Sequence, residues 1–141
     1  MKNFFFAFVI VIVLLIGAVW WSKSLSSTSN DPTVISHNGI HWHPELEIYV
    51  NGDKIEIPQN VGLGGIHNPV HTHDDLPLIH LEFDGLVRED NVKLGNFFRV
   101  WGKDFMEFGS KVIMTVNGEE NFEFENYQMR DGDKIELRYE R

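Results

Sequence analysis

Residues 4–21 form an unbroken run of eighteen apolar or small side chains with no charge inside it. As an α-helix rising about 1.5 Å per residue, the run would span roughly 27 Å, close to the hydrocarbon thickness of a bilayer. A stretch this apolar has no polar face to turn to water, so it constrains the chain more than any other feature. It predicts a single transmembrane helix set apart from whatever folds after it. Trp20 and Trp21 fall where an interfacial aromatic belt would begin, and Lys23 follows. A cleaved secretory signal is the competing reading. Its apolar core is usually shorter, about 7–15 residues, and ends in an A-x-A-like site, which Ala18-Val19-Trp20 does not supply. Both readings export the remainder. Lys2 and the amino terminus favour the short end staying inside, although Lys23 lessens the charge contrast. The expectation is an anchor or signal over 1–22 and a polar tether over 23–32. An extracytoplasmic domain over 33–141 would then be held at the cell membrane by one pass.

All twenty-one acidic residues lie from Asp31 onward, with only ten of the twelve Lys and Arg. A domain of that sign repels phosphates, which excludes nucleic-acid binding through a basic footprint. The absence of cysteine excludes disulfides, thiolate catalysis, zinc fingers and iron–sulfur clusters together. Apolar residues make up 43% of the chain, too many for a disordered one, and the length allows one domain.

The pattern within that domain is mostly strand. Over 40–50, Ile40, Trp42, Leu46, Ile48 and Val50 take even positions while His41, His43, Glu45, Glu47 and Tyr49 take odd ones. Side chains alternate faces along a strand, so one face is apolar and the other polar. Asn51-Gly52 is the preferred pair for a two-residue hairpin turn, with the strand returning over 55–57 and Pro58 ending it. Residues 61–69 read as a Gly-rich loop and 78–83 as another strand. Leu94, Phe97, Phe98 and Trp101 fall at i, i+3, i+4 and i+7, which predicts a short amphipathic helix. Asp90 or Asn91 would cap its start and Gly102 its end. A strand over 112–116 leads into a second Asn-Gly turn, with Phe122 and Phe124 alternating beyond it. Asp131-Gly132 turns into a final strand over 134–139. The fold class expected is α+β, mostly antiparallel sheet with one short helix packed on it. The echo of Gly52-Asp53-Lys54-Ile55 in Gly132-Asp133-Lys134-Ile135 is shared turn chemistry rather than a repeat, because the two Val-Asn-Gly turns recur at a different offset.

Histidine carries the one sharp chemical signal. All seven lie between His37 and His80, and three pairs share a spacing: His41-x-His43, His71-x-His73 and His80-x-Glu82. Residues two apart on a strand project from one face with Cα atoms roughly 6.5 Å apart. Two imidazoles so placed can lean toward a single ion at about 2.0–2.1 Å from each nitrogen. The first pair lies opposite Ile40 and Trp42 and the last opposite Ile79 and Leu81, so these side chains are not expected to fill the core. Imidazole is neutral near pH 7 and suits zinc, copper, nickel or iron. Without cysteine, and with methionine sparse, nitrogen-rich ligation points to copper(II) or zinc. Glu82 and Asp74 could add a carboxylate or orient a ligating imidazole through its other N–H. A single His-x-His is more often a solvated, titrating pair; three pairs within so short a stretch favour a metal. His37 and His67 are read as bystanders.

Other features weigh less. Trp42, Phe97, Phe98 and Trp101 are read as packing. Gly62-x-Gly64-Gly65 lacks the Lys of a phosphate loop, and the adjacent Asp74 and Asp75 read as solvated rather than as a catalytic pair. A cupin motif fails on spacing, since Glu82 lies nine residues beyond His73.

Four segments together resemble a family. They are His41-Trp42-His43 running into Val50-Asn51-Gly52, His71-Thr72-His73-Asp74, Ile79-His80-Leu81-Glu82, and Leu94-Gly95-Asn96-Phe97-Phe98 leading to Trp101-Gly102. In this conjunction the chain, over about residues 37–141, resembles a little-characterised family of exported or membrane-anchored prokaryotic domains. Leu76-Pro77 stands here where members often have a small residue or Gly. The resemblance implies a coherent fold and motif set rather than an activity. The closing segment from Tyr127 to Ile135 is similar to the last turn and strand of β-grasp domains.

The function expected is capture or delivery of copper or zinc rather than turnover, with His41, His43, His71, His73 and His80 as ligands and Glu82 and Asp74 as ligands or their supports. Two rivals stand beside it. One is a metal-dependent hydrolase or oxygenase in which two histidines and Glu82 leave coordination positions open. The other is a metal-free module that contacts another envelope protein through its aromatic helix or a sheet edge.

Overall fold

The structure, a computed structural model, describes the backbone of residues 2–25 and 31–141 and the side chains of residues 11–22 and 31–141. Two compact units emerge, Met1–Asp31 and Pro32–Arg141. The apolar run is helical within α1 (Lys2–Leu25), and its described side chains over 11–22 are all exposed. Among the described residues no helix is long and apolar enough to cross a membrane. The anchor expectation also draws on the side chains of residues 4–10, which lie outside those described. The expected tether begins helical, since α1 continues to Leu25, and residues 26–30 lie outside the described residues.

The second unit is mixed α+β and mostly antiparallel, as expected. Its elements are β1 (Val34–Ser36), β2 (Ile40–Trp42), β3 (Glu45–Val50), β4 (Asp53–Ile55), β5 (Val70–His71), β6 (His80–Phe83), β7 (Val87–Arg88), α2 (Leu94–Trp101), β8 (Lys111–Val116), β9 (Glu119–Glu120) and β10 (Lys134–Glu140). Among the described residues they form a five-stranded sheet in the order β4-β3-β10-β8-β9, a three-stranded sheet β2-β6-β5 and the pair β1-β7.

Two hairpins build the large sheet. Asn51-Gly52 and Asn117-Gly118 take positive φ at all four positions, 51° and 94° in the first and 54° and 85° in the second. That is the twist a two-residue hairpin turn requires. β10 returns between the hairpins, parallel to β3 and antiparallel to β8. Alternation does the rest: Leu46, Ile48 and Val50 on β3 and Ile135, Leu137 and Tyr139 on β10 are buried, with Met114 opposite Leu137. Leu94, Phe97 and Phe98 of α2 belong to the same core. Gly102, at φ 76°, closes α2 as predicted, and its N–H donates to the Arg99 carbonyl.

Three local expectations need correction. Lys93, not Asp90 or Asn91, precedes the helix; the latter two lie in a separate short turn over Glu89–Asn91. The Leu94 N–H is satisfied by the Tyr127 carbonyl at 2.9 Å, a tertiary partner that makes a side-chain cap unnecessary. Beyond β9 the chain forms a short turn over Phe124–Asn126 instead of a strand, and Phe122 is exposed. The stretch over 40–50 is also not one continuous strand. Pro44 has no N–H to donate, so the ladder breaks there and β2 and β3 enter different sheets. The register survives the break. His41 pairs Glu82 and Trp42 pairs Leu81 before it, and Glu45 pairs Leu78 after it. His43 therefore falls opposite His80.

The loop before β5 depends on Gly62, whose φ is +76° and whose missing Cβ would lie 2.5 Å from the Val70 carbonyl oxygen. Gly62→Ala should destabilise the protein by about 2–3 kcal/mol through backbone strain and displacement of the strand carrying His71. Urea denaturation monitored by circular dichroism measures it; a loss below about 0.5 kcal/mol, the range of neutral surface changes, would contradict the close contact.

Candidate metal centre

β6 is the centre of the small sheet, and its alternation decides where chemistry can occur. Leu81 points into the core, so His80 and Glu82 share the opposite face. β2 supplies His41 directly across from Glu82, and His43 follows across from His80. On the other side β5 pairs His71 directly with His80. His73 follows two residues after His71, which returns its ring to the same side. The three spaced pairs thus occupy one face, with adjacent rings in contact. Ring centroids are 4.8 Å apart for His41–His43, His43–His80, His71–His73 and His73–His80, and 5.2 Å for the stacked His71–His80.

Two donor groups lie within this cluster. In the first, His71, His73 and His80 each offer a nitrogen within 4.8 Å of the others; in the second, His41, His43 and Glu82 do the same with two nitrogens and a carboxylate oxygen. The first is the more enclosed. His71 is 1% exposed and His80 8%, so the expectation that these imidazoles avoid the interior is corrected. Their rings stack on one another, with centroids 5.2 Å apart.

The first group is positioned by groups outside it. His71 Nδ1 lies 3.0 Å from the Asn68 carbonyl oxygen. A carbonyl only accepts, so Nδ1 carries the proton and Nε2 keeps its lone pair. Nε2 faces His73 Nε2 at 3.1 Å. Ion–nitrogen bonds near 2.0–2.1 Å set two donors roughly 3–4 Å apart, so this pair is already at chelating separation. His80 Nε2 lies 3.1 Å from both oxygens of Asp75. By the same logic Nε2–H donates to the carboxylate. His80 Nδ1 is then a buried nitrogen without a hydrogen-bond partner. Thr72, fully buried between the two histidines of its segment, donates to the Pro58 carbonyl and accepts from the Val61 N–H, fixing His71 and His73 to the preceding loop.

The second group is more open. His41 Nε2 lies 3.2 Å from Glu82 Oε1, and both side chains are exposed. The His43 backbone N–H donates to Asp131 Oδ1 at 2.8 Å, which fixes the chain just before Pro44. A groove of about 860 Å³ runs past this side, lined by His41, His67, His71, Glu82 and Asp84 among others.

Sequence reasoning missed three participants. Asp74 is exposed and lies in neither group; its neighbour Asp75 performs the orienting role expected of it. Asp131 was visible only as a turn residue. His67, read as a bystander, sits edge-on to His71 at 5.1 Å, while His37 is exposed and in neither group. Loop residues carry no periodicity, so nothing in the spacing distinguished Asp75 from Asp74.

Burial lowers the pKa of His71 below its ordinary value, outweighing the Asn68 hydrogen bond that would raise it. The unfolded chain therefore takes up this proton near pH 6.5 while the folded one resists it. In chelator, stability should fall as pH drops from about 6.5 until folded His71 protonates. His71→Asn should flatten that slope in thermal melts between about pH 7.5 and 5. An unchanged slope would contradict the assignment. Asp75 acts lower: hydrogen bonding from His80 holds its carboxyl below the usual range, so its contribution is lost only as pH falls below about 3.8.

No family model, curated protein or solved structure matches the chain.

Proposed function

We propose that the chain is a membrane-anchored, extracytoplasmic protein that binds copper or zinc for capture or delivery. One observation carries the reading: His71, His73 and His80 each bring a ring nitrogen within 4.8 Å of the others, with His71 Nε2 and His73 Nε2 3.1 Å apart and His80 Nδ1 buried without a hydrogen-bond partner. Without an ion, His73 Nε2–H donates to the His71 Nε2 lone pair; a cation takes both lone pairs and displaces that proton. The Asp75–His80 contact is the carboxylate–imidazole arrangement that commonly orients a metal-bound histidine. Absence of cysteine narrows the choice to ions content with nitrogen ligands. The exposed apolar helix and its paired tryptophans support the anchor. Two hairpins flanking a central strand that runs parallel to one of them, with a helix in the same core, support a β-grasp-like domain. The four-motif conjunction supports membership of the exported family it resembles.

Calorimetric titration of the tag-free full chain in detergent, stripped with chelator, tests the reading. Zinc or copper(II) should bind and release protons; absence of heat and of retained metal with both ions overturns it.

A second reading has its own support. His41, His43 and Glu82 form a 2-His-1-carboxylate set beside an open groove, the donor set of a metal-dependent hydrolase or oxygenase. Turnover of an ester by the zinc form, or oxygen consumption by the iron(II) form, would favour it. Neither occurring leaves binding as the function.

A further inference from the structure

Glu82 stands between the two donor groups. Its Oε1 atom lies 3.2 Å from His41 Nε2 on one side and 3.5 Å from His80 Nδ1 on the other. The second contact is unusual. With Nε2–H of His80 committed to Asp75, the buried Nδ1 presents a lone pair to a carboxylate oxygen, and like-signed density meets with nothing between. The pair of atoms lacks a positive charge between them, which a proton or a metal ion supplies at this distance. A cation held by Nδ1 and by Glu82 resolves the contact.

We propose that the cluster holds two adjacent divalent cations bridged by the Glu82 carboxylate. The inner ion is bound by His71 Nε2, His73 Nε2 and His80 Nδ1, and the outer ion by His41 and His43. This deepens the metal-binding reading and rests on it. Two-metal sites hold their ions about 3.5–4 Å apart. That separation suits two groups whose rings already touch, with His43 edge-on to His80 at 4.8 Å. Repulsion between two dications so close must be offset nearby. Asp75 behind the inner group and Asp131, 3.8 Å from His43 Nδ1, supply negative charge on opposite sides. Burial differs as well. His71 and His80 are buried and His73 is half-buried, while His41 and Glu82 are exposed, so the outer ion exchanges with solvent faster than the inner one.

The test is titration of the chelator-stripped full chain, in detergent, with zinc by calorimetry and with copper(II) by electron paramagnetic resonance. Two equivalents of zinc should bind. Glu82→Gln, which keeps shape and removes the bridging charge, should weaken the second equivalent by roughly 10–100-fold and the first by less, because three imidazoles still hold the inner ion. His41→Asn, at an exposed position, should remove the second equivalent alone. The two-copper form should lose ordinary doublet intensity and gain a half-field transition, and Glu82→Gln should restore independent signals. A single equivalent unaffected by either substitution overturns the pair while leaving metal binding intact. Two equivalents with uncoupled copper signals in the unsubstituted chain overturn the bridge. Failure to bind either ion removes the underlying reading itself.

Discussion

Replacing His71 and His73 together by asparagine should lower zinc affinity by at least about 100-fold, because these two nitrogens are the donors already at chelating distance. The effect has a second readout in stability. A ligand present at about 100 times its dissociation constant stabilises the folded state by about 2.7 kcal/mol. For a domain of about 110 residues that corresponds to roughly 10 °C in melting temperature. Excess zinc should raise the melting temperature of the unsubstituted chain by about that much and leave the double variant nearly unmoved. In chelator the two proteins should differ little, or the variant should gain slightly at low pH, because an asparagine side chain does not titrate and so lacks the resistance of His71 to protonation. Equal zinc-induced shifts in both would place the ion elsewhere.

Asp133→Ala should cause the largest loss of stability from a single polar residue, about 3–5 kcal/mol by urea denaturation. The side chain is buried and accepts three hydrogen bonds: from Tyr127 Oη at 2.7 Å, the Arg130 N–H at 2.8 Å and Asn117 Nδ2 at 3.0 Å. Its own carbonyl accepts the Glu45 N–H, so this one residue ties the turn before β10 to the start of β3 and to the β8–β9 hairpin turn. Truncation removes the shared acceptor of three donors at a half-buried turn. Burial, reinforced by the Asp133 carboxylate, also pushes the Tyr127 phenol well above its ordinary range, so Tyr127 should stay protonated through alkaline titration until the fold is lost. The same turn carries Asp131, which holds the His43 N–H. Asp133→Ala should accordingly loosen the outer donor group as well as the fold, whereas Asp133→Asn, which keeps size and one acceptor, should lose less of both. A loss under about 1 kcal/mol for Asp133→Ala would contradict this network.

Much of the scaffold is legible in the sequence because it follows from short-range rules. The two Asn-Gly turns are local chemistry, and α2 and its Gly102 stop follow from spacing and from the conformational freedom of glycine. Alternation on β3, β6 and β10 tells inner from outer faces before any pairing is known. The same parity puts His80 and Glu82 on one face, and the spacing of His41 with His43 and His71 with His73 follows from it. What parity does not supply is depth. A polar strand face is exposed only if nothing covers it, and here imidazoles from neighbouring strands and a loop carboxylate cover His71 and His80. Nor does parity reveal sheet membership. The 40–50 alternation looks continuous because the register is continuous, and only the missing N–H of Pro44 divides it. The start of α2 is hidden because its first N–H is satisfied by Tyr127, more than thirty residues away, and no local signal encodes such a partner. Asp75 and Asp131 act from loops and turns, where sequence spacing does not determine direction.

The central claim is that imidazoles from three separated stretches hold one metal centre. X-ray absorption at the metal edge of the zinc-loaded full chain measures that most directly. A first shell dominated by nitrogen at about 2.0–2.1 Å, with the outer-shell scattering of at least three imidazole rings, is the result the account predicts. A first shell of oxygen alone, without imidazole scattering, would contradict it.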